Sequence, residues 1–109
     1  MPRHVPPLRL APDAAVDLQL HTTFSDGEWS AEGLLAHVAA AGFGLVAVTD
    51  HDRVDSVAEV QRIGATVGVP VLAAAELSTE WERQMLDLLC YGFDPAQPSP
   101  LATIAATTY

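Results

Sequence analysis

Two histidines and a set of carboxylates fall where the chain leaves its apolar stretches: His21, Asp26, Thr49-Asp50-His51-Asp52 and Glu76. Imidazole nitrogen and carboxylate oxygen together form the mixed donor set accepted by Zn, Mn or Fe. The excess of carboxylates favours the harder ions and more than one of them. Each residue also has a plainer use. A single His51 is more often a solvated or satisfied imidazole than a ligand, Asp26 before Gly27 is a turn former, and Asp52 reads best as the N-cap of a helix. Glu76 is harder to explain in that way, because a carboxylate directly after the apolar Ala73-Ala-Ala75 needs a partner. Considered jointly, the strand-end placement favours a metal site.

The elements that must position these residues follow from periodicity. Val16, Leu18 and Leu20 alternate with Asp17, Gln19 and His21, which predicts a strand with one apolar and one polar face. Ser25-Asp26-Gly27 is a turn cluster. Ser30 caps a predicted helix through Ala41 with Leu34, Leu35, Val38 and Ala41 inward, and Gly42 stops it. Leu45–Val48 is a short buried strand. A second helix runs from an Asp52 cap to Val67, with Val57, Val60, Ile63 or Gly64, and Val67 inward, and ends at Gly68. Val69–Ala73 is a third strand. Leu77–Trp81 and Met85–Tyr91 form a hairpin turning at Glu82-Arg83-Gln84. The order β-α-β-α-β followed by a hairpin is α/β, with parallel strands joined by helical crossovers. In such sheets functional groups gather outside the carboxyl ends of the strands.

Composition narrows the function further. The chain has 109 residues, half of them hydrophobic and 17% charged, which suits a globular core. Five cations, all arginine, against 14 acidic residues leave a net charge of −9. That charge argues against a broad double-stranded DNA surface. A lone Cys90 excludes an intrachain disulfide, and no apolar run is long enough to span a membrane. The proline-rich start, with Pro2, Pro6, Pro7 and Pro12, lacks the apolar core of a secretory signal. A cytoplasmic address is the expectation. Residues 1–14 read as an irregular arm, 15–95 as the domain, and 96–109 as a loop around Pro98 and Pro100 followed by the start of a helix.

Other candidates carry less. Arg53 and Arg83, expected near the site, would hold a phosphate bidentately, or be exposed loop arginines, with equal weight. His37 falls on the polar side of the first helix and His4 in the arm. Phe24, Trp29 and Trp81 would line a pocket mouth or, more ordinarily, pack. Cys90 is read as an inert buried thiol.

Asp17-Leu-Gln-Leu-His-Thr22, Ser25-Asp-Gly27, Thr49-Asp-His-Asp52, Glu76 and Leu88-Leu-Cys-Tyr-Gly-Phe-Asp-Pro95 resemble the PHP (polymerase and histidinol phosphatase) domain family. The resemblance is greatest to its stand-alone members that act on 3′,5′-bisphosphonucleotides and short RNA 5′ ends, and it covers residues 16–95. It implies the N-terminal portion of a distorted (β/α)₇ barrel holding two or three Mn, Fe or Zn ions. The implied reaction is phosphate-ester hydrolysis of a nucleotide or RNA 5′ end by a metal-bound hydroxide. His21, Asp26, His51 and Glu76 match the family's metal ligands. Asp50 stands beside a ligand and is the expected catalytic residue, orienting that ligand or a metal-bound water.

Two positions depart from the family pattern. Gln19 and Asp87 stand where the family has histidine, so an amide and a carboxylate would replace imidazole; Cys90 replaces a glycine. Family members are more than twice as long, and their later half supplies further ligands and most basic substrate contacts. The expectation that follows is a truncated barrel. Its open edge would be covered by a second copy or a partner chain. The alternatives are a degenerate fragment acting as a non-catalytic interaction module, or the accessory domain of a DNA polymerase.

Overall fold

The computed structural model describes residues 8–96. Half of the expected arm, His4, the Pro98/Pro100 loop and the helical start at Leu101–Tyr109 lie outside the described residues. Strands β1 (Ala15–Leu20), β2 (Phe43–Val48) and β3 (Val71–Leu72) form a parallel sheet in the order β1-β2-β3. Helices α1 (Ala31–Ala40) and α2 (Val57–Val67) make the crossovers that parallel neighbours require. Strands β4 (Ala74–Trp81) and β5 (Gln84–Tyr91) then pair antiparallel as a hairpin. The predicted order β-α-β-α-β followed by a hairpin is therefore present.

Helix α1 begins where its sequence dictates, since the Ser30 hydroxyl accepts a hydrogen bond from Gly33 N at 3.1 Å. Gly42, at φ +84°, follows its end. Ala31, Leu35 and Val38 are buried, and they meet Val46 and Val48 of β2, Val60 and Ile63 of α2, and Val69 in one core cluster. Helix α2 approaches β3 closely enough to need a glycine. A Cβ on Gly64 would lie 2.5 Å from Val71 Cγ2 and 2.7 Å from Val69 O.

Several expectations need correction. Helix α2 starts at Val57 after Ser56, four residues beyond the Asp52 turn, and Asp52 caps nothing: its carboxylate is taken by Ser78. Val67 is exposed rather than inward. The apolar side of β1 is covered only in part, since Leu20 packs on the core while Val16 and Leu18 stay exposed. Cys90 is half-buried rather than buried.

The third strand also divides. Only Val71–Leu72 joins the parallel sheet, and β4 starts at Ala74, so Glu76 is the third residue of a strand instead of a residue following one. The small Ala73–Ala75 let β4 lie against the end of β2. There Glu76 N donates to Asp50 O at 3.2 Å and Asp52 N donates to Glu76 O at 2.9 Å. That isolated parallel bridge, His51 to Glu76, ties the hairpin to the sheet. The hairpin turn itself is Glu82-Arg83, with φ +48° and +67°, and Gln84 already pairs with Trp81. Two positive φ values suit the right-handed twist of paired strands.

Candidate metal centre

His21 follows β1, His51 follows β2, and Glu76 lies in β4 beside that end, so three adjacent strands deliver one donor each. The imidazoles of His21 and His51 stack with centroids 4.7 Å apart and planes 19° from parallel. Carboxylates bracket the pair. Glu76 Oε1 lies 3.2 Å from His21 Nε2 and 4.0 Å from His51 Nε2. Asp26 reaches across from the β1–α1 loop, with Oδ2 3.3 Å from His51 Nε2 and Oδ1 3.5 Å from His21 Nδ1. That last approach is too poorly aligned to be a hydrogen bond, and the buried His21 Nδ1 has no hydrogen-bond partner among the described residues. A buried nitrogen left unsatisfied beside a carboxylate suits a cation better than it suits a packed core.

Among the described residues, two ligand groups are compact enough for an ion, each with donor atoms within 4.8 Å of one another: His21, Asp26 and His51, and His51, Glu76 and Asp87. His51 belongs to both. The second group forms because Asp87 of β5 stands opposite Ser78, two residues after Glu76, so all three side chains share one face of the hairpin. Gln19 also reaches this centre, but as a donor: its Nε2 lies 3.4 Å from Glu76 Oε1.

Supporting contacts hold the donors in place. Asp50 is buried, and its carboxylate accepts from Thr22 N, Thr22 Oγ1 and Ser25 Oγ, each at 2.7 Å. It therefore fixes the loop carrying His21 and Asp26. Asp52, at φ +54°, performs the matching task on β4. Its carboxylate accepts from Ser78 N at 2.6 Å and Ser78 Oγ at 2.7 Å. Ser78 was not among the sequence candidates, although its place two residues after Glu76 on a strand was the available signal.

The cleft beside the donors has a volume of about 650 Å³ and is lined by Phe24, Asp26, His51, Asp52, Arg53 and Asp87, among others. Arg53 lies over the Phe24 ring at 5.2 Å, donates to Phe24 O at 3.0 Å, and pairs with Asp55 through two hydrogen bonds. This pairing holds the Asp55 carboxyl below the usual carboxylate range. Arg83 is not brought to the cleft: it sits in the turn beyond the Trp81–Gln84 pair, at the far end of the hairpin from Glu76. Trp29 packs edge-on against His37 at 4.9 Å, and Trp81 is exposed near the hairpin tip.

No protein-family model matches the chain. It is 35% identical over 86 residues to a 3′,5′-nucleoside bisphosphate phosphatase of Chromobacterium violaceum, covering 79% of this chain and 30% of that protein. It is 31% identical over 88 residues to a 5′-3′ exoribonuclease of Haemophilus influenzae, covering 81% and 32% respectively. Among solved structures, an amidohydrolase from Chromobacterium violaceum with bound sulfate and no metal superposes with a TM-score of 0.78 at 34% identity. That match covers 86% of this chain and 33% of the other. A Bifidobacterium adolescentis protein assigned as a metal-dependent phosphoesterase gives 0.77 at 27% identity, covering 89% and 34%. The chain thus spans about a third of the length of the curated relatives it matches.

Proposed function

We propose that this chain, similar over 79% of its length to a 3′,5′-nucleoside bisphosphate phosphatase, carries the metal centre of the PHP-type phosphoesterases and hydrolyses a phosphate ester of a nucleotide or short RNA. The observation that carries the reading is the pair of compact donor groups sharing His51. Divalent Mn, Fe or Zn, when bound, would supply Lewis-acid charge and a nucleophile drawn from water. His21 and Asp26 would hold one ion and Glu76 and Asp87 a second, with His51, whose Nε2 faces both Asp26 and Glu76 and carries one lone pair, ligating one of the two.

The rest of the chemistry belongs to the protein's own groups. Asp26, Asp52 and Asp87 line a cleft in which Arg53, the one arginine among the described residues lining it, is already paired with Asp55. A phosphate dianion entering that cleft without cations would meet mostly like charge, so substrate binding depends on the metal ions. Arg53 can turn from Asp55 toward a phosphoryl oxygen, because guanidinium offers several donors in one plane. Asp50 holds the His21 and Asp26 loop in register, a supporting role consistent with its burial and its three accepted hydrogen bonds.

The test is phosphate release from a nucleoside 3′,5′-bisphosphate by the full chain supplied with Mn²⁺. Turnover that disappears on chelation and returns with metal supports the reading. Absence of metal uptake from Mn, Fe and Zn alike would sink it.

A second reading, an interaction module that assembles with a second copy or a partner chain, is favoured by one observation. Met85 is 73% exposed and Leu88 54% exposed on β5, and Val16 and Leu18 are also open on β1. Apolar strands left open in this way invite association. Light scattering of the purified chain decides it: a monomer across the micromolar range would rule out self-association.

A further inference from the structure

We infer that Asp52 and Ser78 are positioning residues for one half of the metal centre, separable from the half that Asp50 positions. This rests on the metal reading above. In an extended strand, Asp50 and Asp52 would point to the same side, with His51 opposite. The left-handed backbone at Asp52, φ +54°, breaks that alternation. The two carboxylates consequently serve opposite neighbours of β2. Asp50 takes three hydrogen bonds from the β1–α1 loop, and Asp52 takes two from Ser78 of β4.

Each clamp sits next to a different pair of donors. Thr22 is adjacent to His21, and Ser25 is adjacent to Asp26. Ser78 lies on the same strand face as Glu76 and directly opposite Asp87. Asp52 is buried, and its carboxylate grips both the backbone N–H and the hydroxyl of one residue, which fixes β4 in position along β2 as well as beside it. A shift of β4 along β2 would move Glu76 and Asp87 together relative to His51, while leaving His21 and Asp26 where Asp50 holds them. Outer contacts of this kind commonly tune metal affinity about 10–100-fold.

The experiment is calorimetric titration of the full chain with Mn²⁺, alongside a thermal melt of each variant. Asp52→Gly removes the carboxylate while keeping the left-handed backbone free of strain, and Ser78→Ala removes only the hydroxyl. The expected result is two classes of site in the unsubstituted chain, with one class weakened about tenfold or more in both variants and the other unchanged. In a Glu76→Gln background, Asp52→Gly should weaken the remaining class no further. Asp52→Asn, which keeps the shape and tolerates the left-handed backbone, should restore most of the lost affinity. If Asp52→Gly does not fold, Ser78→Ala supplies the same loss, with Asp52→Asn as the variant that keeps the affinity. Equal weakening of both classes, or of neither, overturns the inference and leaves the metal reading intact. The titration is repeated with Fe²⁺ and Zn²⁺ where Mn²⁺ does not bind, and an unsubstituted chain that binds none of the three overturns both.

Discussion

His21 and His51 stack face to face at 4.7 Å although 30 residues separate them, and this contact joins the ends of β1 and β2 into one site. The stack forms because α1 returns the chain parallel to β1, placing both strand ends on the same edge of the sheet. It also makes His51 the hinge of the centre. Its Nε2 faces both Asp26 Oδ2, at 3.3 Å, and Glu76 Oε1, at 4.0 Å, and Asp87 lies in the same donor group as Glu76.

Gly27 should be the least replaceable residue of the β1–α1 loop. A Cβ there would lie 2.4 Å from His21 O and 2.7 Å from Thr22 N, both backbone atoms that cannot swing aside. Gly27→Ala is expected to cost about 1–3 kcal/mol through forced backbone shifts. It should also lower metal uptake, since His21 and Asp26 move with the loop. Thermal melts with and without Mn²⁺ test this; an unchanged melting temperature in both would contradict it.

Gln19→His should strengthen metal binding. Gln19 Nε2 already lies 3.4 Å from Glu76 Oε1, so an imidazole at this position would face the same carboxylate with a better donor for borderline metals. Asp87→His is expected to raise occupancy less, because Asp87 is already within reach of His51 and Glu76 as an oxygen ligand. Metal content after growth in Mn-supplemented medium measures both. No gain from Gln19→His would mean that the strand end cannot turn a ring toward Glu76.

Cys90 should react slowly. Burial against Ala75 and Leu77 pushes its thiol pKa up, so less thiolate is present at a given pH than for an open cysteine. Alkylation by iodoacetamide near pH 8 is expected to lag behind that of a free thiol and to accelerate as pH rises. The folded state keeps this proton to higher pH than the unfolded chain does, so the same burial removes stability as pH climbs above the ordinary thiol range. Alkylation as fast as that of free cysteine would contradict the burial.

Much of this was legible because it rests on local signals. Ser30 and Gly42 bound α1 through capping chemistry, Gly68 ends α2, and the Val57, Val60 and Ile63 spacing gives the buried stripe. The candidate donors His21, Asp26, His51 and Glu76 could be picked out from residue type and placement. What the sequence hid was non-local. Asp52 resembles an N-cap in isolation, and only the arrival of β4 gives its carboxylate to Ser78. The division between β3 and β4 at Ala73 depends on pairing partners that an alanine run does not announce. Arg83 lies close to Glu76 in sequence, but the hairpin carries it to the opposite end.

The most direct measurement is the metal content of the purified chain and of its His51→Ala variant, by elemental mass spectrometry after supplementation with Mn, Fe and Zn. With His51 common to both donor groups, the unsubstituted chain should hold metal, and the variant, in which each group keeps two donors, should hold markedly less. Equal metal content in the two proteins, or none in either, would contradict the shared centre.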